Sequence, residues 1–170
     1  DARKHNSKGG SIRVVASKHN SNRPSSTILH AIMDEEKQAG VDKRETYLQF
    51  SRIVTDQKCY VLDKMKSIKA KGQSILGFGA SHSTTTLLHH FQLGAYLDYL
   101  VDDNPSKQGL YSPGYHLPVY SPSCIYKESP DYILLLAWQH SETIVDRHRK
   151  ILETGAKFIL PLPELEIVSS

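Results

Sequence analysis

Two cysteines, Cys59 and Cys124, are all that the 170 residues hold, and they form no C-x-x-C pair. A disulfide framework and a cysteine zinc site are therefore not expected, and both thiols read as reduced cytosolic side chains. Charge of one sign is also scarce. Against 18 Asp+Glu stand 21 Lys+Arg, a net charge of +3, which lacks the basic surplus of a nucleic-acid module. The longest apolar run, Ile133 to Trp138, falls far short of a membrane span, and no charged-then-apolar leader opens the chain. The expectation is a cytoplasmic protein whose partners include neither nucleic acid nor membrane. None of the histidines sits in an H-E-x-x-H motif or beside a cysteine, so no metal site is expected. No spacing suggests a Ser-His-Asp or Cys-His arrangement, and no catalytic residue is nominated.

What the sequence does hold is one domain's worth of hydrophobic residues, 39% of the chain, with something appended. It opens on Asp1 and reaches Gly-Gly-Ser-Ile-Arg by Arg13, as expected of a cut through a longer protein. Gly9 to Val15 reads as a short strand after a glycine turn, with no partner in sight. Lys18 to Ser26, polar and carrying Pro24, reads as a linker. Ser26 caps a helix from Thr27 to Ala39, which Gly40 closes. Asp42 and Glu45 form a D-x-x-E box before a second helix reaching about Lys71, with Tyr47, Phe50, Val54, Val61, Met65 and Ile68 on one apolar stripe. Three segments result: residues 1–25, a helical lead-in over 26–73, and a domain over 74–170.

That last domain alternates strand and helix patterns. Strands are expected at Ser74 to Gly79, Leu97 to Asp102, Asp131 to Trp138 and Lys157 to Pro161, and helices at Thr84 to Leu93 and Ser141 to Thr154. Such alternation means parallel strands joined by right-handed crossovers, a small Rossmann-like α/β domain of three layers. The continuous apolar runs I-L-L-L-A and Y-L-V suit strands buried on both faces.

In such folds ligands sit beyond the carboxyl ends of the strands, and three clusters lie there. The first is the turn Gly77-Phe78-Gly79-Ala80-Ser81-His82-Ser83, feeding a helix whose free N–H groups suit a phosphate or carboxylate. A plain alternative stays open, in which Gly77 and Gly79 only permit a tight turn and Ser83 caps the helix. The second is Asp102 with Asn104, where an acidic residue would bind a ribose hydroxyl in a dinucleotide site. His82, however, occupies the third glycine position of G-x-G-x-x-G, which argues against ordinary NAD binding. The third is the long connection after Asp103, with Lys107 as a cation, Tyr111 and Tyr115 as flat rings, and Pro113 and Gly114 fixing a turn. It is either an ordered binding loop or a solvated cover on the sheet edge. Trp138 follows the third long strand and either faces the pocket or caps the core. The D-R-H-R-K run from Asp146 to Lys150 reads as an exposed helix face.

The series G-G-S-I-R (Gly9 to Arg13), G-F-G-A (Gly77 to Ala80), V-D-D-N-P-S-K-Q-G (Val101 to Gly109), S-P-G (Ser112 to Gly114), P-D-Y-I-L-L-L-A-W (Pro130 to Trp138) and P-L-P (Pro161 to Pro163) resembles the C-terminal part of the sugar C-methyltransferase family. The resemblance implies a parent with a zinc-binding segment and a central S-adenosylmethionine domain, methylating a ring carbon of a nucleotide-linked deoxysugar through an enolate. It further implies that Gly9 to Arg13 is the last strand of the upstream methyltransferase domain. On this resemblance the chain is the substrate-binding domain, partnered by a nucleotide-linked sugar or similar polar metabolite. It neither binds S-adenosylmethionine nor catalyses alone. The competing expectation is a dinucleotide-binding oxidoreductase domain or redox sensor.

Overall fold

The computed structural model describes residues 1–7, 10–22 and 24–170. Gly9, at the head of the expected first strand, lies outside the described residues. By internal packing the chain divides into Asp1–Val54 and Thr55–Ser170.

In the first unit, β1 (Ala2–His5) and β2 (Ser11–Val14) form an antiparallel hairpin, so the strand read as partnerless is paired within the chain. Its partner, A-R-K-H, escapes a sequence reading because it has no alternating apolar pattern. Helix α1 (Thr27–Ala39) begins where Ser26 accepts a hydrogen bond from the Leu29 N–H and ends at Gly40, whose φ of +66° is the left-handed conformation glycine tolerates. Helix α2 (Arg44–Ala70) runs across the division between the units. The expected apolar stripe is buried only in its C-terminal half, at Val61, Met65 and Ile68. Tyr47 and Phe50, on the part of the helix that belongs to the first unit, are exposed.

The second unit adds β3 (Ile75–Phe78), α3 (His82–Phe91), β4 (Leu100–Val101), β5 (Val119–Tyr120), α4 (Ser123–Glu128), β6 (Tyr132–Leu135), α5 (Ser141–Arg147), β7 (Lys157–Leu160) and β8 (Glu166–Val168). The sheet order is β5-β4-β3-β6-β7-β8, all pairs parallel except the antiparallel β7–β8 edge. Counted from β3 this is the 3-2-1-4-5-6 order of the Rossmann fold. The chain first winds away from β3 through α3 to β4, then returns through α4 to β6 on the other side. Right-handed crossovers put the helices of the two halves on opposite faces.

Burial agrees. Leu76, Phe78, Ile133, Leu135 and Phe158 share one core with Ile125 of α4 and Ile144 of α5. The buried Leu87, Leu88 and Phe91 of α3 lie outside that cluster. On the other face, a Cβ at Gly77 would lie 2.6 Å from Leu100 and 2.7 Å from Leu136, so the strand needs glycine there for its neighbours to close over it. Each fully buried Leu or Ile contributes roughly 1.5–3 kcal/mol, which makes the two-sided central strands the main source of stability. The helix expected from Ser141 to Thr154 is interrupted: α5 stops at Arg147, His148 turns inward, and a 3₁₀ segment covers Arg149–Thr154.

Candidate functional site

The strand order reverses between β3 and β6, and a crevice opens beyond their carboxyl ends, as it does at such switch points. Phe78, the last residue of β3, accepts from the N–H groups of both Leu136 and Ala137 through its carbonyl, which draws the end of β6 close. Gly79 then turns with φ +111°, and a Cβ on it would lie 2.9 Å from the Cβ of Ala137. Ser81 is extended and caps α3, its hydroxyl accepting from the Thr84 N–H. The cap is thus Ser81 rather than the expected Ser83, and Ser83 is left with its hydroxyl 2.8 Å from that of Ser81.

Asp102, at the end of β4, is buried and heavily bonded. Its carboxylate accepts from Ala80 N–H at 2.7 Å, Asn104 N–H at 2.9 Å and the Lys107 ammonium at 3.0 Å. The sequence D-D-N-P-S-K-Q explains itself in this geometry. Asn104 caps a 3₁₀ turn over Pro105–Lys107, the turn swings Lys107 back onto Asp102, and Gln108 donates to the Asp102 carbonyl at 3.0 Å. The motif is therefore a clamp that ties the glycine turn to the loop.

A cavity of about 410 Å³ fills the crevice. Of the expected site residues it brings together Gly79, Ser81, Ser83, Asp102, Lys107 and Trp138. A second cavity of about 320 Å³ lies on the other side of the start of α3 and gathers Ala80, Ser81, His82, Lys107, Tyr111 and Pro113. Gly77, Asn104, Gly114 and Tyr115 line neither of these two. Gly77 is enclosed in the strand, and Asn104 is used as a cap. Gly114, at φ +78°, lies so close to the His89 ring that no Cβ fits, and the Tyr115 ring rests on Gly94 and His89. The loop is ordered by its own bonds, Gly109 N–H to the Val119 carbonyl, Ser112 N–H to the Leu117 carbonyl and Leu117 N–H to the Ser112 hydroxyl.

The crevice also takes Asp103, Gln139, His140, Thr143 and Arg147, none of which the sequence singles out as a binding residue. The post-strand rule that points to the start of α3 points equally to the start of α5, and it is the available signal for Gln139, His140 and Thr143. Arg147, in the D-R-H-R-K run, is exposed as expected, and it also lines the cavity and pairs with Asp103. His148 of the same run is buried, its Nδ1 2.9 Å from the Tyr126 hydroxyl. Both cations of the crevice thus have carboxylate partners, and an anionic ligand has to share them. No cluster of His, Cys, Asp and Glu among the described residues could hold a metal ion. No helix among them is long and apolar enough to cross a membrane.

The profile of the family described as C-methyltransferase C-terminal domain matches residues 6–163. This chain belongs to that family. Among relatives, C-methyltransferase NovU of Streptomyces niveus is 29% identical over 163 residues, which are 95% of this chain and 39% of the relative. The C-methyltransferase C-terminal domain described here therefore spans about two-fifths of that relative's length. A solved structure, UDP-D-quinovosamine 4-dehydrogenase from Vibrio fischeri, is 17% identical and covers 57% of this chain and 93% of its own, with a TM-score of 0.41.

Proposed function

We propose that this domain binds a nucleotide-linked sugar, or a similar polar metabolite, for an S-adenosylmethionine-dependent C-methyltransferase of the cytoplasm, and does not itself catalyse. The observation that carries the reading is the switch-point cavity. Its volume, about 410 Å³, suits a small polar ligand, and its wall combines hydroxyls, a carboxamide, two ion pairs and one indole. In this reading the diphosphate lies against the first turn of α3, whose leading N–H groups have no carbonyl partner inside the helix, and draws on Lys107. Trp138 flanks the sugar and Tyr111 borders the nucleotide.

The residues present do not fit S-adenosylmethionine or a dinucleotide. Each asks the acid after the second strand to accept two ribose hydroxyls, and three of the about four acceptor positions of Asp102 are already filled by N–H donors. The methyl donor is therefore assigned to another part of the parent, and no step of the transfer is derived from these side chains. The hairpin supports a partnership with a methyltransferase domain of the same parent. Ile12 and Val14, which share one face of β2, are 52% and 64% exposed, and a two-stranded hairpin is marginal without further packing.

The strand order alone also favours a second reading, a dinucleotide-binding oxidoreductase domain or redox sensor; the bonded Asp102 and bulky His82 oppose it. Calorimetric titration of the chain with UDP-glucose, dTDP-glucose and GDP-mannose tests the first reading. Saturable heat is expected with at least one, weakened about tenfold in Lys107→Ala, as loss of a charge-assisted contact to phosphate implies. Absence of heat with all three at millimolar concentration overturns it.

A further inference from the structure

We infer that the two cavities are compartments of one ligand site, the second taking the nucleobase of a nucleoside diphosphate sugar and the first its sugar ring. The inference rests on the nucleotide-sugar reading above. Ser81 and Lys107 line both cavities, so the two adjoin at the start of α3. Away from that seam their walls differ in kind. The first offers Asp103, Gln139, Thr143 and Arg147, acceptors and donors suited to the hydroxyls of a sugar. The second has His82, Thr84, Thr85 and Ser112 on its wall, but Leu100, Leu110, Pro113 and Val119 beside the Tyr111 ring give it an apolar, stacking side whose counterpart in the first is Trp138.

The order along the surface is polar, cationic, apolar. A nucleoside diphosphate sugar has the matching order of hydroxylated ring, diphosphate and flat heterocycle. Leu110 and Tyr111 are 57% and 66% exposed, two large apolar side chains in water at the rim of the second cavity. A stacked base removes that surface from water. The reverse orientation sets the base among paired carboxylates and leaves Leu110 and Tyr111 wet. Between the compartments the diphosphate meets Lys107, 3.0 Å from Asp102, at the one cation common to both linings.

The test titrates the chain with UDP-glucose, UDP and glucose 1-phosphate, in the unmodified form and in Leu110→Asp, Tyr111→Ala and Gln139→Ala. Because Leu110 and Tyr111 are exposed, thermal melting should leave both variants folded, and either one suffices if the other fails. Both are expected to weaken UDP and UDP-glucose about tenfold or more, in line with the loss of a base–aromatic stack, and to leave glucose 1-phosphate within about twofold. Gln139→Ala is expected to weaken UDP-glucose and glucose 1-phosphate while sparing UDP. If glucose 1-phosphate is too weak to titrate, the ratio of UDP-glucose to UDP affinity reads the first compartment instead. Should the unmodified chain bind none of the probes, the nucleotide-sugar reading fails and the inference with it. If the chain binds them but the Leu110 and Tyr111 variants lose the sugar phosphate instead, or lose all probes alike, the compartment assignment alone is overturned.

Discussion

Gly79 carries a backbone conformation and a close approach that no other residue supplies, with φ +111° and Ala137 Cβ 2.9 Å from where its own Cβ would be. Gly79→Ala should therefore cost about 2 kcal/mol, read as a lower urea midpoint at unchanged slope. Another residue with a defined consequence is His148, buried against Phe78 with ring centroids 5.2 Å apart and bonded through Nδ1 to Tyr126. Burial pushes its pKa below the usual 6.5; the nearby Asp103 carboxylate opposes the shift and Arg147 adds to it. Its folded pKa is depressed, so the unfolded chain takes up the proton first. The stability associated with neutral His148 is full above 6.5 and is lost as pH falls through the lower folded value. Thermal melting between pH 7.5 and 5.5 should show that loss, and His148→Leu should flatten it.

Among the elements, the starts of β3 and β6 are pinned together by one side-chain pair. Asp131 accepts from the Ser74 N–H at 2.8 Å and the Ser74 hydroxyl at 2.9 Å, while the Asp131 N–H donates to that hydroxyl at 2.9 Å. Those bonds, the backbone one first, hold the Asp131 carboxyl below its usual range. The contribution is present above the ordinary carboxylate pKa and lost as pH falls through the depressed one. Ser74→Ala should cost about 0.5–1 kcal/mol after solvent screening and should soften the acid limb of the stability profile. Long elements with end signals are legible in the sequence: Ser26 and Gly40 bracket α1, and the apolar stripe announces α2. Elements of a few residues are not. Val119–Tyr120 and Ser123–Glu128 are too short to display a period, and Ala2–His5 has no apolar alternation. The break at His148 is equally silent, since a buried histidine inside a charge run looks like one more surface residue. In the site, the glycine turn and Trp138 are legible because a topological rule fixes their edge of the sheet. The saturation of Asp102 and the reach of Arg147 depend on side-chain directions that spacing does not encode.

For the whole molecule, a Rossmann strand order whose post-strand acid, Asp102, is already bonded three times opposes the dinucleotide that the topology suggests, and the proposed ligand of this C-methyltransferase C-terminal domain is a nucleotide-linked sugar instead. The scarcity of tryptophan turns into a probe, because the chain has one, Trp138, and it is half-buried in the wall of the switch-point cavity. Any ligand that enters that crevice must alter the surroundings of its indole. The most direct measurement is the intrinsic emission of Trp138 during titration with UDP-glucose and dTDP-glucose, alongside NAD⁺. The account predicts a saturable change with at least one nucleotide-sugar and none with the dinucleotide. A saturable response to NAD⁺ with no response to either nucleotide-sugar contradicts it.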